Sequence, residues 1–495
     1  MIPAEQAATA NLLLRLAGGR APIETHISAV YVGEETVWKL RKAVRLPFLD
    51  FTAPAARAAA ARRELALNAP HAPGLYRDVA AVVRQADGTL ALAADGADGA
   101  IDWVTRMAPV PAADFLDHRA ARGGLDDALL DALGDTVAAY LAAVPPVAGA
   151  DGVAVQATMT EGNLRSAHAA GLPAGKLAQW QGAMAAELAR RAPWLRARAA
   201  AGFVRRGHGD LHLGNLCLWQ GRPVPFDAVE FDDAIATGDI GYDLAFLLMD
   251  LEHRAGRAAA NRVLCRYVAR SGDWAVVAGL PLFMAQKAMV RAHVETARGR
   301  AAEGCAYLDM SLGYLHPPPP IVVAVGGLMG TGKTTLARAL APSLGPAPGA
   351  LVLRSDEIRK RRRGVAPEQR LPADAYHAAG SAAVFAELHR AVAEVAAAGH
   401  AAIADATWLD PAHRRAVAAA AGAVRFHGVW LEAPLPVLEA RLAARQADAS
   451  DATVSVLRRA AAGAPRPPAG WQRVAATDAR AALSAVRDAL RAGVC

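Results

Sequence analysis

Two kinds of hydrophobic patterning divide this chain. Val30 to Leu40 alternates apolar with polar positions, is rich in β-branched and aromatic residues, and carries turn chemistry at Gly33-Glu34-Glu35, which predicts a hairpin. Pro54 to Asn68 has a helical pattern and carries Glu64. Val79–Val83 and Thr89–Ala93 flank Ala86-Asp87-Gly88 as a second hairpin, and Ile101–Met107 adds a strand. A long helical region follows from about residue 124. Beyond residue 320 the apolar runs Ile321–Val325, Ala350–Leu353, Ala401–Ala404 and Phe426–Leu431 alternate with helical segments. That alternation predicts a parallel sheet covered by helices on both faces. Between the two patterns His316 is followed by Pro317-Pro318-Pro319-Pro320, a stiff extended spacer. The expected organisation is therefore 1–315, a linker at 316–320, and 321–495.

A chain of 495 residues exceeds what one core usually organises. It is 54% hydrophobic but only 5% aromatic, and the abundance of alanine favours helix. The formal charge of +7 suits pockets for polyanionic nucleotides, a nucleic-acid surface or an arginine-rich proteome alike. Leu244–Leu251 is apolar but too short to span a bilayer and is interrupted by Asp250. No basic start followed by an apolar stretch marks a secretory signal. Cys217, Cys265, Cys305 and Cys495 are scattered, as expected of reduced thiols in a cytoplasmic protein.

Chemistry is concentrated in two places. Gly327 to Thr334 reads G-L-M-G-T-G-K-T, a complete P-loop between a predicted strand and a predicted helix. Its glycines let backbone amides turn toward phosphate oxygens without a Cβ in the way. The nucleotide-binding set is Gly327, Leu328, Met329, Gly330, Thr331, Gly332, Lys333, Thr334 and Thr335. Lys333 is suited to bridging the β- and γ-phosphates and the Thr334 hydroxyl to ligating Mg2+. Three segments follow: Arg354-Ser355-Asp356-Glu357-Ile358-Arg359, Ile403-Ala404-Asp405-Ala406-Thr407, and Arg441 with Arg445 one helical turn apart. Asp356 reads either as a base at a strand's carboxyl end or as a helix N-cap. Asp405 reads either as a metal-site residue or as a loop cap.

The second place is His208-Gly209-Asp210-Leu211-His212-Leu213-Gly214-Asn215, followed by Phe226-Asp227-Ala228-Val229-Glu230-Phe231. In-line phosphoryl transfer needs a carboxylate to orient the attacking hydroxyl and oxygen ligands for magnesium. Asp210 suits the first need, and Asn215 and Asp227 the second. Val37-Trp38-Lys39-Leu40-Arg41-Lys42 offers the nucleotide lysine, with Lys39 central in its strand and Glu64 its natural partner. No Gly-rich loop precedes it, so phosphate contact must come from other groups, with Ser28 nearby. His26 and His212 read as supports of the catalytic loop, and Trp408, Trp430 and Trp471 as packing residues.

The order Asp210, Asn215, Asp227, with Asp239 and Asp243 supporting the loop, resembles the aminoglycoside phosphotransferase and choline-kinase-like family. Residues 321–495 resemble the small P-loop kinases related to polynucleotide kinase, zeta-toxin and gluconate kinases. The whole resembles bacterial fusions of the two. The resemblance implies an α+β kinase-like two-lobed domain followed by an α/β P-loop domain. Both would use ATP and Mg2+ to phosphorylate a hydroxyl of a small molecule such as a sugar, amino sugar or aminoglycoside-like acceptor. It implies Asp210 and Asp356 as bases, Arg359 as a substrate residue, Arg441 and Arg445 in a lid, and Asp405 near the metal. Asp114, Asp117, Asp126, Asp127 and Asp131 read either as a greeting for a cationic acceptor or as solvated helix faces. The alternatives are a nucleotide-sensing regulator with one active site and a polynucleotide 5′-hydroxyl kinase, the latter motivated by the basic run Lys360-Arg361-Arg362-Arg363.

Overall fold

The computed structural model describes residues 1–46, 49–444, 449–463 and 467–493. Packing groups them into two compact units. The first comprises Met1–Leu125, Ala143–Val155 and Arg198–Asp243, and the second Asp126–Ala142, Gln156–Ala197 and Leu244–Cys495.

The first unit is built on a six-stranded antiparallel sheet of β1 (Ile23–Glu24), β2 (Ser28–Val32), β3 (Val37–Arg41), β4 (Tyr76–Arg84), β5 (Leu90–Ala94) and β6 (Ala100–Met107), in the order β1-β2-β3-β6-β4-β5. Period-2 alternation sends Ala29, Tyr31, Leu40, Val82 and Val104 to one face, where they bury against Leu12 and Leu13 of α1 (Ala7–Leu16). The other face carries α2 (Pro54–Asn68), which starts with Pro54 in its first turn. Asp102 of β6 ties the layers together, accepting from Gln6 Nε2 and from Arg57 Nε, each at 2.8 Å. Two further strands, β7 (Leu216–Trp219) and β8 (Arg222–Pro225), form a hairpin that brings Asn215 and Phe226 side by side.

The second unit contains α3 (Asp127–Ala143), α4 (Arg257–Ser271), α5 (Leu280–Ala297) and α6 (Ala301–Leu315). It also holds a parallel sheet of β9 (Ile321–Gly327), β10 (Leu351–Arg354), β11 (Ala402–Asp405), β12 (Arg425–Glu432) and β13 (Gln472–Ala475), in the order β10-β11-β9-β12-β13. The four predicted strands are present. The fifth, β13, escaped prediction because Val474 is its single buried residue and its other positions are polar or small.

Strand β10 lies at the sheet edge, where unpaired backbone groups need cover. Helix α4 supplies it: Asn261 Nδ2 donates to the Ala350 carbonyl at 3.0 Å, and the Val352 amide donates to Cys265 Sγ at 3.4 Å. Cys265 packs on the same apolar core as Val323, Val325, Leu336 and Ile403. Packing thus divides the chain differently from composition, since helices before the proline spacer belong to the unit that holds the parallel sheet. No described helix is long and apolar enough to cross a membrane.

Candidate active sites

In the first unit, Lys39 of β3 points at α2. Its Nζ donates to Glu64 Oε1 at 2.5 Å and also to Asp227 Oδ1. Arg41, two residues on and so on the same face, bridges Glu64 at 2.8 Å and Glu230 at 2.7 Å. Thr105 Oγ1 donates to the other Glu64 oxygen at 2.8 Å. Burial and Arg41 pull the Lys39 ammonium down, but Asp227, Glu64 and Glu230 outweigh them and hold it above its ordinary value. Burial would raise the Asp227 carboxyl, but Lys39 and Arg41 outweigh burial and hold it below the carboxylate range. Asp227 is nonetheless 42% exposed, so it faces outward from its cations.

Asp227 sits in the left-handed region at φ 61°, a conformation that Asp and Asn tolerate better than most residues. Its amide donates to Tyr76 Oη at 3.0 Å, and the next amide, of Ala228, donates to Asn68 Oδ1 at 3.0 Å. These bonds fix which way the carboxylate turns.

The predicted loop brings Asp210 and Asn215 together. Asn215 Nδ2 donates to the Asp210 carbonyl at 2.9 Å and to Oδ2 at 3.0 Å. Asp210 also acts on Asp227 as a like charge that raises its carboxyl. His212 lies 3.5 Å from Asp210 Oδ2 and accepts the Gly214 amide at Nδ1. Burial holds the His208 imidazole below its ordinary value, and the neutral ring meets the Phe226 carbonyl through Nε2 at 3.0 Å. Asp243 accepts the amides of His208 at 2.6 Å and Gly209 at 3.0 Å. Asp239, held by Arg198 at 2.6 and 2.9 Å, accepts the Gly241 amide.

Replacing Asp243 with alanine orphans two buried amides at the base of this loop. The expected cost is roughly 2–6 kcal/mol, at about 1–3 kcal/mol per unsatisfied group. A melting temperature unchanged by Asp243→Ala would refute it.

Sequence reasoning missed the Arg41–Glu230 link. Its signal was present, since Glu230 stands three residues after Asp227, but nothing local says that it reaches β3. Ser28 is buried, and its Oγ accepts from Arg41 Nη1 at 2.7 Å. His26 makes no contact that ties it to the 208–215 loop among the described residues.

In the second unit, β9 runs into the P-loop and the loop into α7 (Lys333–Leu340). Gly327, Gly330 and Gly332 adopt φ of 132°, 83° and 88°. A Cβ at Gly327 would lie 2.5 Å from the Leu431 carbonyl oxygen, and one at Gly330 would lie 2.8 Å from that of Leu438. These positions require glycine on both conformational and steric grounds. Lys333 Nζ donates to the carbonyls of Gly327 at 3.2 Å and Leu328 at 3.0 Å, which folds it over the loop. Thr331 Oγ1 donates to the Leu328 carbonyl at 2.8 Å and stiffens the turn. The cradle fits a phosphate: amides of a helix start, a lysine, and glycines whose positive φ values turn the loop tightly.

Thr334 Oγ1 donates to Asp405 Oδ2 at 2.6 Å, which brings together the hydroxyl and the carboxylate expected near a metal. Arg354 Nε stands 3.4 Å from the same oxygen, and its Nη1 donates to Glu357 at 2.9 Å. Asp356 is the second residue of α8 (Ser355–Arg362), whose N-cap is Arg354, so it does not cap this helix. Burial raises the Asp356 carboxyl, partly opposed by Arg354 and Lys333. Arg441 of α9 (Leu435–Ala443) is held by the carbonyls of Ala476 at 2.8 Å and Thr477 at 2.9 Å. Arg445 lies outside the described residues.

Lys333, Thr334, Thr335, Asp356, Arg359, Asp405 and Arg441 line one cavity of about 1430 Å3. That exceeds the roughly 300–1,000 Å3 of a typical small-molecule pocket. Part of its wall comes from α3 and α4, through Asp127, Asp131, Asn261, Arg262 and Cys265. Arg262 is engaged by Asp131 at 2.8 and 2.6 Å and by Asp127 at 2.5 Å, and of the two carboxylates Asp131 is half-buried and Asp127 exposed.

Most of the basic run is also engaged. Lys360 is buried against Asp451 at 2.7 Å, while Arg361 and Arg362 pair with Glu387 at 2.6 and 2.8 Å. Trp408 and Trp430 are buried, and Trp471 packs edge-on against Trp408 and Phe426, as packing residues do.

Comparison with known proteins gives two family matches: the phosphotransferase enzyme family over residues 23–280 and an AAA domain over 322–467. An uncharacterized protein of Mycobacterium tuberculosis (strain ATCC 25618 / H37Rv) is 34% identical over 280 residues, 54% of this chain and 55% of that protein. The chain thus spans about half the length of the curated relatives it matches. Among solved structures, a gluconokinase from Sinorhizobium meliloti 1021 is 20% identical with a TM-score of 0.24, covering 35% of this chain and 96% of that one. The GDP complex of wild-type aminoglycoside 2′-phosphotransferase-IIIa is 13% identical with a TM-score of 0.36, covering 63% and 99%. The family match that contains Lys39, Glu64, Asp210, Asn215 and Asp227 extends over more than half of the sequence. This chain belongs to the phosphotransferase enzyme family, with a P-loop α/β domain of AAA type following the kinase-like fold.

Proposed function

We propose that the chain is an ATP-dependent phosphotransferase with two kinase-type halves, 1–315 and 321–495, joined by the spacer at 316–320. Each half moves the γ-phosphoryl group of ATP to a hydroxyl of a small molecule. The observation that carries this reading is the same in both places. Segments distant in sequence converge to put a lysine and acidic or amide oxygen ligands beside a carboxylate suited to a hydroxyl: Lys39, Asp227 and Asn215 with Asp210, and Lys333, Thr334 and Asp405 with Asp356.

In each half the acceptor oxygen bonds to the γ-phosphorus as the bond to the bridging oxygen breaks, and ADP leaves. The hydroxyl proton passes to Asp210 in the first half and to Asp356 in the second. Asn215 and Asp227 in the first half, and Thr334 with Asp405 in the second, would hold Mg2+, which would supply neutralisation of phosphate charge. Lys39 and Lys333 orient the phosphate tail, and Glu64 and Arg41 keep Lys39 extended toward it.

The test uses the full chain with γ-labelled ATP and a panel of sugars, amino sugars, aminoglycosides, nucleosides and a 5′-hydroxyl oligonucleotide. Phosphate should appear on a small-molecule hydroxyl, and Asp210→Asn and Lys333→Ala should each remove one part of the transfer. Transfer that survives both substitutions together would sink the reading. Label on the oligonucleotide alone would favour the polynucleotide alternative, whose basic run is largely engaged in ion pairs.

A pH dependence follows from Asp356. A base must be ionised, and burial raises this carboxyl above the ordinary aspartate value of about 3.9. As pH falls, the P-loop half should therefore lose kcat/KM earlier than an exposed aspartate would allow. An acid limb at or below the ordinary value, measured in an Asp210→Asn background, would contradict the assignment.

A further inference from the structure

The first unit buries two cations side by side. Lys39 and Arg41 share one face of β3 and are 8% and 2% exposed. Glu64 of α2 meets both: Oε1 takes Lys39 Nζ at 2.5 Å, and Oε2 lies 2.8 Å from Arg41 Nη2. One carboxylate therefore faces two cations. A cation taken out of water is costly unless an opposite charge compensates it.

Glu230 supplies the second counter-charge. Its side chain is buried, and Oε1 lies 2.7 Å from the same Arg41 Nη2. Burial raises the Glu230 carboxyl and Arg41 opposes that rise, so Glu230 relies on this cation to stay ionised. The segment that carries it is fixed independently of the ion pair. The Val229 amide donates to the His208 carbonyl at 2.9 Å, and the Ala228 amide donates to Asn68 Oδ1 at 3.0 Å. Asn68 Nδ2 in turn donates to the Glu64 carbonyl at 2.8 Å. Glu64, Asp227 and Glu230 thus approach β3 as parts of one frame.

The balance of charge around β3 decides what Asp227 can do. Lys39 and Arg41 are matched by Glu64 and Glu230, which leaves Asp227 as the carboxylate in excess. Burial would raise Asp227, but Lys39 and Arg41 hold it below the carboxylate range, and its side chain still turns outward at 42% exposure. Asp210 adds a further negative charge nearby. An outward-facing oxygen with surplus negative charge behind it fits a hard divalent cation. Without Glu230 the same two cations would face Glu64 and Asp227 alone, and Asp227 would be held as a counter-ion.

We propose that Glu230 is a positioning residue of the first half: by neutralising Arg41 it leaves Glu64 to Lys39 and Asp227 to Mg2+. It acts through Arg41 and not by touching the reacting groups. The proposal rests on the metal reading of Asp227 and Asn215.

The experiment uses the full chain carrying Lys333→Ala, with Mn2+ as the probe and a non-hydrolysable ATP analogue present. Electron paramagnetic resonance counts free Mn2+, so metal affinity is read without turnover, and residual binding at the P-loop is common to every variant. Glu230→Gln should weaken Mn2+ binding about tenfold, the effect of one unit charge acting over roughly 10 Å of protein. Arg41→Gln removes a cation and should bind Mn2+ at least as tightly as the parent. The double variant Arg41→Gln/Glu230→Gln restores the excess negative charge and should return to the parent affinity. Glu230→Asp, which keeps the charge, should recover most of the loss. A pair that served the fold alone would weaken both single variants alike, or lower the melting temperature with metal affinity untouched. Either result, or a double variant no better than Glu230→Gln, would overturn the proposal. Where melting shows Glu230→Gln unfolded, Arg41→Gln and the double variant decide, and markedly weaker Mn2+ binding by either overturns it. Mn2+ affinity undiminished by Asp227→Asn would defeat the metal assignment and the proposal with it. A loss in Asp227→Asn beside no change in Glu230→Gln would defeat the proposal alone.

Discussion

Lys333→Ala is expected to lower phosphotransfer by the P-loop half by on the order of 10²–10³-fold, the scale seen when one preorganised transition-state donor is removed. Lys333 Nζ is held over the loop by the Gly327 and Leu328 carbonyls, so the cation is placed before any phosphate arrives. Its removal orphans no buried amide and leaves the glycine turns intact, so the melting temperature should stay close to that of the parent. The measurement is labelled-phosphate transfer by the full chain carrying Asp210→Asn, so that only the second half reports. The full chain matters because α4 covers the edge of β10, and an excised 321–495 piece would lack the partners of Ala350 and Val352. Undiminished transfer would remove Lys333 from the mechanism.

Asp227→Asn should produce a loss of similar size in the first half, with the fold retained. Three features make the substitution clean. Asparagine matches aspartate in shape, it tolerates the φ of 61° found there, and the backbone amide keeps its bond to Tyr76. What changes is charge. A neutral amide is a poor ligand for a hard divalent cation, and Lys39 is left with Glu64 as its carboxylate partner. Titrating Mg2+ against transfer in a Lys333→Ala background should show the metal requirement moving to higher concentration. Asp227→Ala should fare worse, because alanine in the left-handed region adds backbone strain. Normal transfer by Asp227→Asn at low Mg2+ would end the metal assignment.

Local chemistry was readable wherever it is contiguous. The P-loop needs a strand, a glycine turn and a helix start within a few residues, and all three lie between Ile321 and Leu340. The hairpin carrying Lys39 and the helix carrying Glu64 were visible because alternation and helical periodicity are short-range patterns, and α2 runs over the predicted Pro54–Asn68. Pairing Lys39 with Glu64 also succeeded, since a central strand lysine facing the next helix has few acids to choose from.

What stayed hidden depends on segments that meet only after folding. Glu230 closing on Arg41, Asp243 capping the 208–209 amides, and α4 covering β10 join residues from tens to nearly two hundred positions apart. The basic run at 360–363 motivates a polynucleotide alternative, yet Lys360 is buried on Asp451 and the next two arginines share Glu387.

Sequence alone therefore determined the two motif sets and the strands and helices that carry them, because steric and hydrogen-bonding demands act within a few residues. Tertiary structure decided which acids are neutralised and by which cations. Burial, unlike periodicity, is a property of everything packed around a side chain, and Arg41 is matched by Glu230, a carboxylate that its own stretch of chain does not name.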